Sequence, residues 1–366
     1  MPETAQKKKR SWIWTLVFIL MNVGILVWTG LTELNRKKTS GAHLDDIQIK
    51  WPFFILTVLC FLVTVAAEAG KYFSLIKRLT DKNDLSTAVK VTIYGRYYDN
   101  ITPSGAGGQP FQIMYLKRRG LGDGAALAIP VYAFLLQQIS FVALSLLIFL
   151  LFGHLFTIPA IKISAYVGLA LYSLVPMLII LSAVFPKAVG RLVMRILRGL
   201  AAIRLIKQPE EKGEKVLAQL SEYSRAINFI NRHRSLSFEM FLLSLLYHIS
   251  RASMPFLILH AFGGRVDWLS VTVATFFIYA AISVIPTPGG AGAAEASFYL
   301  VFAGLPNSGL VFWAMLVWRF FSDYIFIIGG ILLTATEYTQ EKLKARRLAR
   351  QEASRRRRDS SRKDSQ

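Results

Sequence analysis

A glycine-rich segment occurs twice in this 366-residue chain, each time between long apolar runs. Residues 102–108 read Thr-Pro-Ser-Gly-Ala-Gly-Gly, and residues 287–293 read Thr-Pro-Gly-Gly-Ala-Gly-Ala. At this offset of 185 residues, Tyr94 also coincides with Tyr279. A regular helix cannot continue through such a segment, because proline lacks a backbone donor and glycine is entropically costly in a helix. The repeat therefore predicts two helix breaks at corresponding places of a duplicated fold.

The apolar runs predict a membrane protein. Hydrophobic residues make up 54% of the chain, and they are grouped into runs near the ~20 residues that a helix needs to span a bilayer. The net charge is +21, and lysine and arginine flank these runs. We interpret this charge as the positive-inside pattern rather than as nucleic-acid binding, because no RNA-binding aromatic motif accompanies it. The single Cys60 excludes a disulfide framework and a thiolate metal cluster.

Charge and run length together predict six full spans, at residues 12–31, 51–69, 125–152, 163–185, 238–262 and 308–334. The basic N-terminus, residues 1–11, and the basic tail, residues 337–366, are predicted to be cytoplasmic. Residues 293–304 would rise only about 18 Å as a helix, short of the ~30 Å hydrocarbon core. Residues 268–304 are therefore predicted to form a re-entrant pair on the outer side, and the first glycine segment to re-enter from the cytoplasm.

The predicted fold class is thus an all-α polytopic membrane protein with an inverted repeat. One membrane repeat covers residues 12–155, with its re-entrant motif at 101–111, and the other covers residues 156–336, with its motif at 285–295. Three full crossings in each repeat force the second copy into inverted topology, which is typical of transporters. A basic amphipathic connector, residues 187–235, is predicted to lie on the inner leaflet, with a merely solvated connector as the alternative.

The two glycine segments and the ionisable residues near them form the predicted substrate site. Helix ends at membrane depth offer unpaired N–H groups that suit a phosphate, and glycine lets a headgroup approach the backbone. Ionisable groups are costly in hydrocarbon and usually face a cavity. The candidate residues are Arg96, Asp99, Thr102, Ser104, Gly105, Gly107, Gly108, Gln109, Arg251, Thr287, Gly289, Gly290, Gly292, Glu295, Arg319 and Asp323.

Distinct roles are expected within this set. The helix ends and Arg96 are expected to hold a phosphate, while Glu295 or Asp99 engages a cationic headgroup group. Arg319 and Asp323 share a helix face at i,i+4 spacing, either as a structural ion pair or as part of the site. His248 is expected to be an interhelical hydrogen-bonding group rather than a proton relay.

Enzymatic motifs do not support a catalytic assignment. The sequence has no His-Glu-x-x-His, no Walker loop, and neither glycine segment completes Gly-x-Gly-x-x-Gly. We therefore predict no catalytic residue, metal ligand or cofactor, and membrane phospholipids as the partners.

The segments Ile101–Phe111 and Ile285–Glu295 resemble the transmembrane region of the lysylphosphatidylglycerol synthase/flippase family, and the resemblance extends over roughly residues 12–336. It implies a flippase for aminoacyl-phosphatidylglycerol or a polyprenyl-phosphate-linked lipid in the bacterial plasma membrane. In two-part members, this activity confers resistance to cationic antimicrobial peptides, and a soluble domain after the last span transfers lysine from lysyl-tRNA.

Here a Lys/Arg/Ser-rich tail of about thirty residues follows the last predicted span, so a transporter is the preferred interpretation. Phosphatidylglycerol lysyltransferase, or a partner subunit of a separate soluble aminoacyltransferase, is the alternative. A membrane scaffold without transport is a third alternative, although it would not need charged groups beside two helix breaks.

The predicted topology can be tested by cysteine labelling in a background from which Cys60 is removed. Single cysteines at residues 304–308 should react with an impermeant reagent added outside intact cells, because this turn is predicted to face outward. Single cysteines at residues 117–120 should react only from the inside. Outside labelling of Arg119→Cys, or inside-only labelling of Asn307→Cys, would contradict the topology.

Overall fold

A computed structural model describes residues 49–102, 107–202, 206, 208–283, 285, 287–302 and 308–340, and these residues contain helices and no strand. The helices are α1 (Trp51–Thr80), α2 (Leu85–Ile101), α3 (Gly108–Arg118), α4 (Asp123–Phe152), α5 (Pro159–Val184), α6 (Pro186–Ala202), α7 (Pro209–Arg232), α8 (Arg234–Ala261), α9 (Trp268–Ile282), α10 (Ala293–Phe302) and α11 (Ser308–Arg319). A π-helix, Phe320–Tyr324, follows α11, and helical backbone continues to Gln340. Short 3-10 turns lie at Gly153–Leu155 and Pro288–Gly290.

Five helical segments are long and apolar enough to cross a membrane, namely Trp51–Thr80, Asp123–Leu155, Pro159–Ser182, Arg234–Ala261 and Val311–Gln340. The protein is therefore an all-α polytopic membrane protein, as the sequence predicts. The predicted first span, residues 12–31, and most of the basic tail lie outside the described residues. The second predicted span is longer than expected, since α1 continues past Ala69 to Thr80 and carries Lys77 and Arg78 in its last turn.

An aspartate caps the N-terminus of each helix that leads into a break. The Asp84 carboxylate accepts the Thr87 N–H at 2.8 Å at the start of α2, and the Asp267 carboxylate accepts the Ser270 N–H at 2.9 Å at the start of α9. Hydrogen bonds from the Thr87 hydroxyl and N–H lower the pKa of the Asp84 carboxyl. These caps satisfy backbone donors that a helix start leaves open, so they fix where α2 and α9 begin.

The same order of elements occurs in both halves of the chain. A span, two short helices separated by a break, and a second span appear as α1 to α4, and again from α8 to Gln340. The two spans that open these series, α1 and α8, form the most extensive helix–helix contact. Thr64 donates to the Ser250 hydroxyl across it at 2.9 Å. This packing suits a two-fold relation, while the inverted repeat and its re-entrant topology remain predictions.

The predicted connector folds as a helical hairpin of α6 and α7. Leu192 and Ile196 are 45% and 53% exposed, and three arginines lie among them along α6. One of these, Arg198, places its Nε 3.4 Å from Glu210 Oε1 on α7. The exposed apolar and basic residues on one helix are typical of a segment at a membrane surface, and its position on the inner leaflet remains a prediction.

The contact between α5 and α9 depends on a glycine. A Cβ atom at Gly168 would collide with the backbone oxygen of Ala280, and backbone cannot swing aside as a side chain can. The two helices therefore approach more closely here than any other residue at this position would allow.

We expect Gly168→Ala to lower the free energy of unfolding by about 1–3 kcal/mol, the usual cost of overpacking. Gly199→Ala is the matched control, because Gly199 is also helical and a Cβ there would meet nothing within 4 Å. That control should be neutral or stabilising by up to about 1 kcal/mol, because alanine favours a helix. Thermal unfolding of the purified variants in detergent measures both effects, and equal melting temperatures for the two variants would refute the close contact.

Candidate substrate site

A cavity of about 700 Å³ lies between the two helix breaks. Its wall includes Asn100 and Gln109 beside the first break, and Thr287 and Gly289 in the second. Residues of α1, α4, α5, α8 and α9 complete the wall. The ionisable groups that line it are Glu68, Arg96, Asp99, Tyr72, Tyr172, Tyr247, His248, Arg251, Tyr279 and Asp323. A charged cavity thus lies among helices that are otherwise apolar enough to span a bilayer.

The first break is closed by side chains of the helix that precedes it. Asp99 Oδ1 accepts the Gly108 N–H at 2.8 Å, and the Thr102 hydroxyl accepts the Gly107 N–H at 2.9 Å. Thr102 also donates to the Tyr98 carbonyl oxygen at 2.6 Å. Backbone N–H groups at the start of α3 therefore already have acceptors. This differs from the expectation that they would be free to bind a phosphate, because the sequence shows where α3 begins but not which side chains fold back onto it.

The second break needs glycine for its backbone conformation. Gly289, Gly290 and Gly292 have φ angles of 57°, 65° and 85°, in the left-handed region that side chains disfavour. The Gly292 N–H donates to Glu295 Oε2 at 2.7 Å, and the Thr287 hydroxyl donates to the Ala291 carbonyl oxygen at 3.1 Å. Here too a carboxylate of the protein occupies the donor at the helix start.

One buried arginine holds the second break to the last span. Arg319 Nε donates to Glu295 Oε1 at 2.7 Å, and its Nη1 donates to Asp323 Oδ2 at 2.5 Å and to the Gly289 carbonyl oxygen at 3.1 Å. Arg319 is 3% exposed and Glu295 is 1% exposed, so this network is desolvated. Asp323 lies within the π-helix, a distortion that is frequent at functional sites. Arg319 therefore forms ion pairs with both Glu295 and Asp323, and Asp323 also lines the cavity.

Asn100 joins the two breaks. It lies next to Ile101, the last residue of α2, and its Nδ2 donates to the Asp323 carbonyl oxygen at 3.2 Å. A Cβ at Gly289 would lie only 3.6 Å from the Asn100 carbonyl oxygen, so the backbones of the two breaks approach closely. Asn100 therefore links the first break to the π-helix, to which Arg319 also holds the second break.

Two arginines on the cavity wall lie over tyrosine rings. The guanidinium of Arg96 is 4.8 Å from the centroid of the Tyr247 ring, and that of Arg251 is 4.5 Å from the centroid of the Tyr279 ring. Arg96 Nη2 is 3.9 Å from Glu68 Oε2, whereas Arg251 makes no salt bridge with any described residue. The rings attract these cations through the faces of the guanidinium groups, so the N–H edges of both arginines can also bind an anion.

Most of the predicted site residues lie at the cavity or beside it. Those that line it are Arg96, Asp99, Gln109, Arg251, Thr287, Gly289, Gly290 and Asp323. Those that support the breaks without lining the cavity are Thr102, Gly107, Gly108, Gly292, Glu295 and Arg319. Ser104 and Gly105 lie outside the described residues. Among the residues that the structure describes, no group of three or more His, Cys, Asp or Glu side chains could hold a metal ion.

Asn100 and Tyr247 on this wall were not predicted from the sequence, whereas the hydrogen-bonding role of His248 was. Asn100 and Tyr247 carry no motif of their own, although Asn100 directly precedes the first glycine segment and could have been found from that position. Glu68 and Lys71 form an ion pair at 3.6 Å, and Lys71 is fully buried and donates to Gln137 Oε1. The interhelical role of His248 is confirmed, since its Nε2 lies 3.1 Å from the Gln137 carbonyl oxygen on α4.

The fold and this cavity define the class of the protein, a polytopic α-helical membrane protein with a polar, charged cavity between two interrupted helix pairs. The chain belongs to the family described as lysylphosphatidylglycerol synthase TM region, whose model matches residues 12–330. It is also similar to a protein named UPF0104 membrane protein from Archaeoglobus fulgidus. The two are 25% identical over 321 residues, which cover 85% of this chain and 94% of that relative.

The Arg319 network can be tested through stability. Arg319→Met leaves the Glu295 and Asp323 carboxylates buried without their cation, so we expect a loss of about 3–5 kcal/mol in the free energy of unfolding. A triple variant, Glu295→Gln with Arg319→Met and Asp323→Asn, removes all three charges and should recover most of that loss. Thermal unfolding in detergent provides the measurement. A wild-type melting temperature for Arg319→Met would show that the network contributes nothing to the fold.

Proposed function

We propose that this protein moves a phospholipid, or a polyprenyl-phosphate-linked lipid, between the leaflets of the cell membrane. The observation that carries the proposal is the charged cavity, which lies between two helix breaks in a bundle of membrane-spanning helices. Ionisable groups and irregular backbone are costly at membrane depth and are retained where they line a path for a polar cargo. A lipid headgroup is such a cargo, since it must cross hydrocarbon while its acyl chains stay in it.

In this proposal, Arg96 and Arg251 bind the phosphate. Both line the cavity, and each is oriented by a tyrosine ring rather than locked in a short ion pair with a carboxylate. Guanidinium groups match the geometry of phosphate oxygens, so two of them on one wall suit a phosphodiester. The backbone N–H groups of the breaks are secondary here, because Gly107, Gly108 and Gly292 donate to acceptors within the protein.

In this proposal, Asp99 rather than Glu295 pairs with a cationic group of the lipid headgroup. Asp99 lines the cavity and uses one oxygen for the Gly108 N–H, whereas Glu295 is buried against Arg319. An aminoacylated phosphatidylglycerol carries both a phosphate and ammonium groups, and the family implies such a cargo. Resistance to cationic antimicrobial peptides, and cytoplasmic positions for both chain ends, belong to the same proposal. We do not extend it to lysyl transfer, because no arrangement among the described residues favours that reaction.

Substitution of the two arginines tests the proposal in proteoliposomes. The assay follows acyl-labelled fluorescent phosphatidylglycerol by the fraction that dithionite bleaches from outside. Arg96→Gln and Arg251→Gln should each slow movement about tenfold to a hundredfold, because each loses one charge-assisted hydrogen bond of about 1.5–3 kcal/mol. Arg191→Gln on the exposed face of α6 is the control for loss of one positive charge. Wild-type rates in both arginine variants would exclude this cavity as the path.

A further inference from the structure

Helix α4 presents one face to the cavity, formed by Phe134, Gln138 and Phe141 at i, i+4 and i+7. Gln138 is the polar residue among these three, and only 6% of its surface is exposed, while the adjacent Gln137 also lines the cavity. Its side-chain oxygen, Oε1, is buried and has no hydrogen-bond partner among the described residues. The adjacent Gln137 differs, since its Oε1 accepts from Lys71 and its carbonyl oxygen contacts His248.

Glu68 Oε2, a second acceptor on the cavity wall, differs from Gln138 Oε1, because Lys71 and Arg96 form ion pairs with it at 3.6 and 3.9 Å. Buried acceptors in native proteins nearly always have a donor, because leaving one unpaired costs about 1–3 kcal/mol. The unpaired Gln138 oxygen on the cavity wall therefore indicates a donor that comes from the cargo.

We infer that Gln138 determines headgroup specificity, its side-chain oxygen accepting a hydrogen bond from a hydroxyl or ammonium group of the transported phospholipid. This inference rests on the proposed function and adds a selection rule to it. The arginines would bind the phosphate that all phospholipids share, and so cannot distinguish one headgroup from another. Gln138 would reject a headgroup without donors, because its entry would leave the buried Gln138 oxygen unpaired.

The test compares three acyl-labelled fluorescent lipids in the same proteoliposome assay. Phosphatidylglycerol offers hydroxyl donors, phosphatidylethanolamine offers ammonium donors, and phosphatidylcholine offers neither. We expect the wild type to move one or both donor-bearing lipids faster than phosphatidylcholine. The lipid with the larger rate relative to phosphatidylcholine identifies the donor group. Gln138→Met, which keeps the size and removes the acceptor, should lower that preference about fivefold to tenfold, the effect of one ordinary hydrogen bond.

Two control variants separate this role from a structural one. Ser145→Ala removes a different buried polar group of α4, a hydroxyl that has no hydrogen-bond partner among the described residues and does not line the cavity, so the preference should not change. Gln137→Met makes the same substitution one residue earlier, where it deprives Lys71 of its acceptor, and should lower the melting temperature. Gln138→Met should keep or raise the melting temperature, because it removes a desolvated acceptor that no protein group satisfies. A failure of Gln138→Met to fold would overturn the inference, since it would show that the protein itself holds this amide.

The outcomes also distinguish the inference from the proposed function. If the wild type moves all three lipids at one rate, or if Gln138→Met keeps the wild-type preference, transport stands and the role of Gln138 is refuted. If the wild type moves none of them, the proposed transport of these phospholipids fails. In that case, mass spectrometry of the lipids retained on purified wild type and on Gln138→Met tests the role of Gln138 independently of transport. An unchanged ratio of phosphatidylglycerol and phosphatidylethanolamine to phosphatidylcholine would refute it.

Discussion

The second helix break depends on the three hydrogen bonds of the Arg319 guanidinium. A backbone that leaves helical geometry among membrane spans exposes polar groups that hydrocarbon cannot satisfy. Arg319 donates to the Gly289 carbonyl oxygen in the break, and to Glu295, which in turn accepts the Gly292 N–H. Its remaining partner, Asp323, lies in the π-helix of the last span. The break is thus attached to a full span through charges that would be very costly apart.

The first break is held differently, and the difference bears on function. Its N–H groups are accepted by Asp99 and Thr102, both at the end of the preceding helix, and no arginine donates a hydrogen bond to the part of this break that the structure describes. Asp99 lines the cavity, whereas Glu295 does not. In the proposed function, a headgroup that engages Asp99 therefore competes with the Gly108 N–H, while the second break stays fixed. Asn100 would transmit any displacement of the first break to Asp323 and Gly289.

The sequence was sufficient to predict the five described spans and the positions of both breaks, because run length and the proline–glycine segments act locally, while the span at residues 12–31 stays a prediction. The Arg319–Asp323 pair was also accessible, since i,i+4 spacing places the two residues on one helix face. The contact of Glu295 with Arg319 was not predicted, because the two residues are 24 positions apart and no local pattern specifies that contact. The amide of Gln138 was missed for the same reason, as its missing partner shows only once the neighbouring helices are in place. The predicted re-entrant topology describes how the chain lies in a bilayer, and contacts within the protein do not test it.

The charges around the cavity form two groups of opposite net sign. The Arg319 network contains two carboxylates and one guanidinium, so in ordinary ionisation states it carries one net negative charge, and its Asp323 lines the cavity. Lys71, Arg96 and Arg251 together with the carboxylates of Glu68 and Asp99 carry one net positive charge. In the proposed function, a phosphodiester monoanion binds at this second group and neutralises it, which matters because uncompensated charge is costly inside a membrane protein.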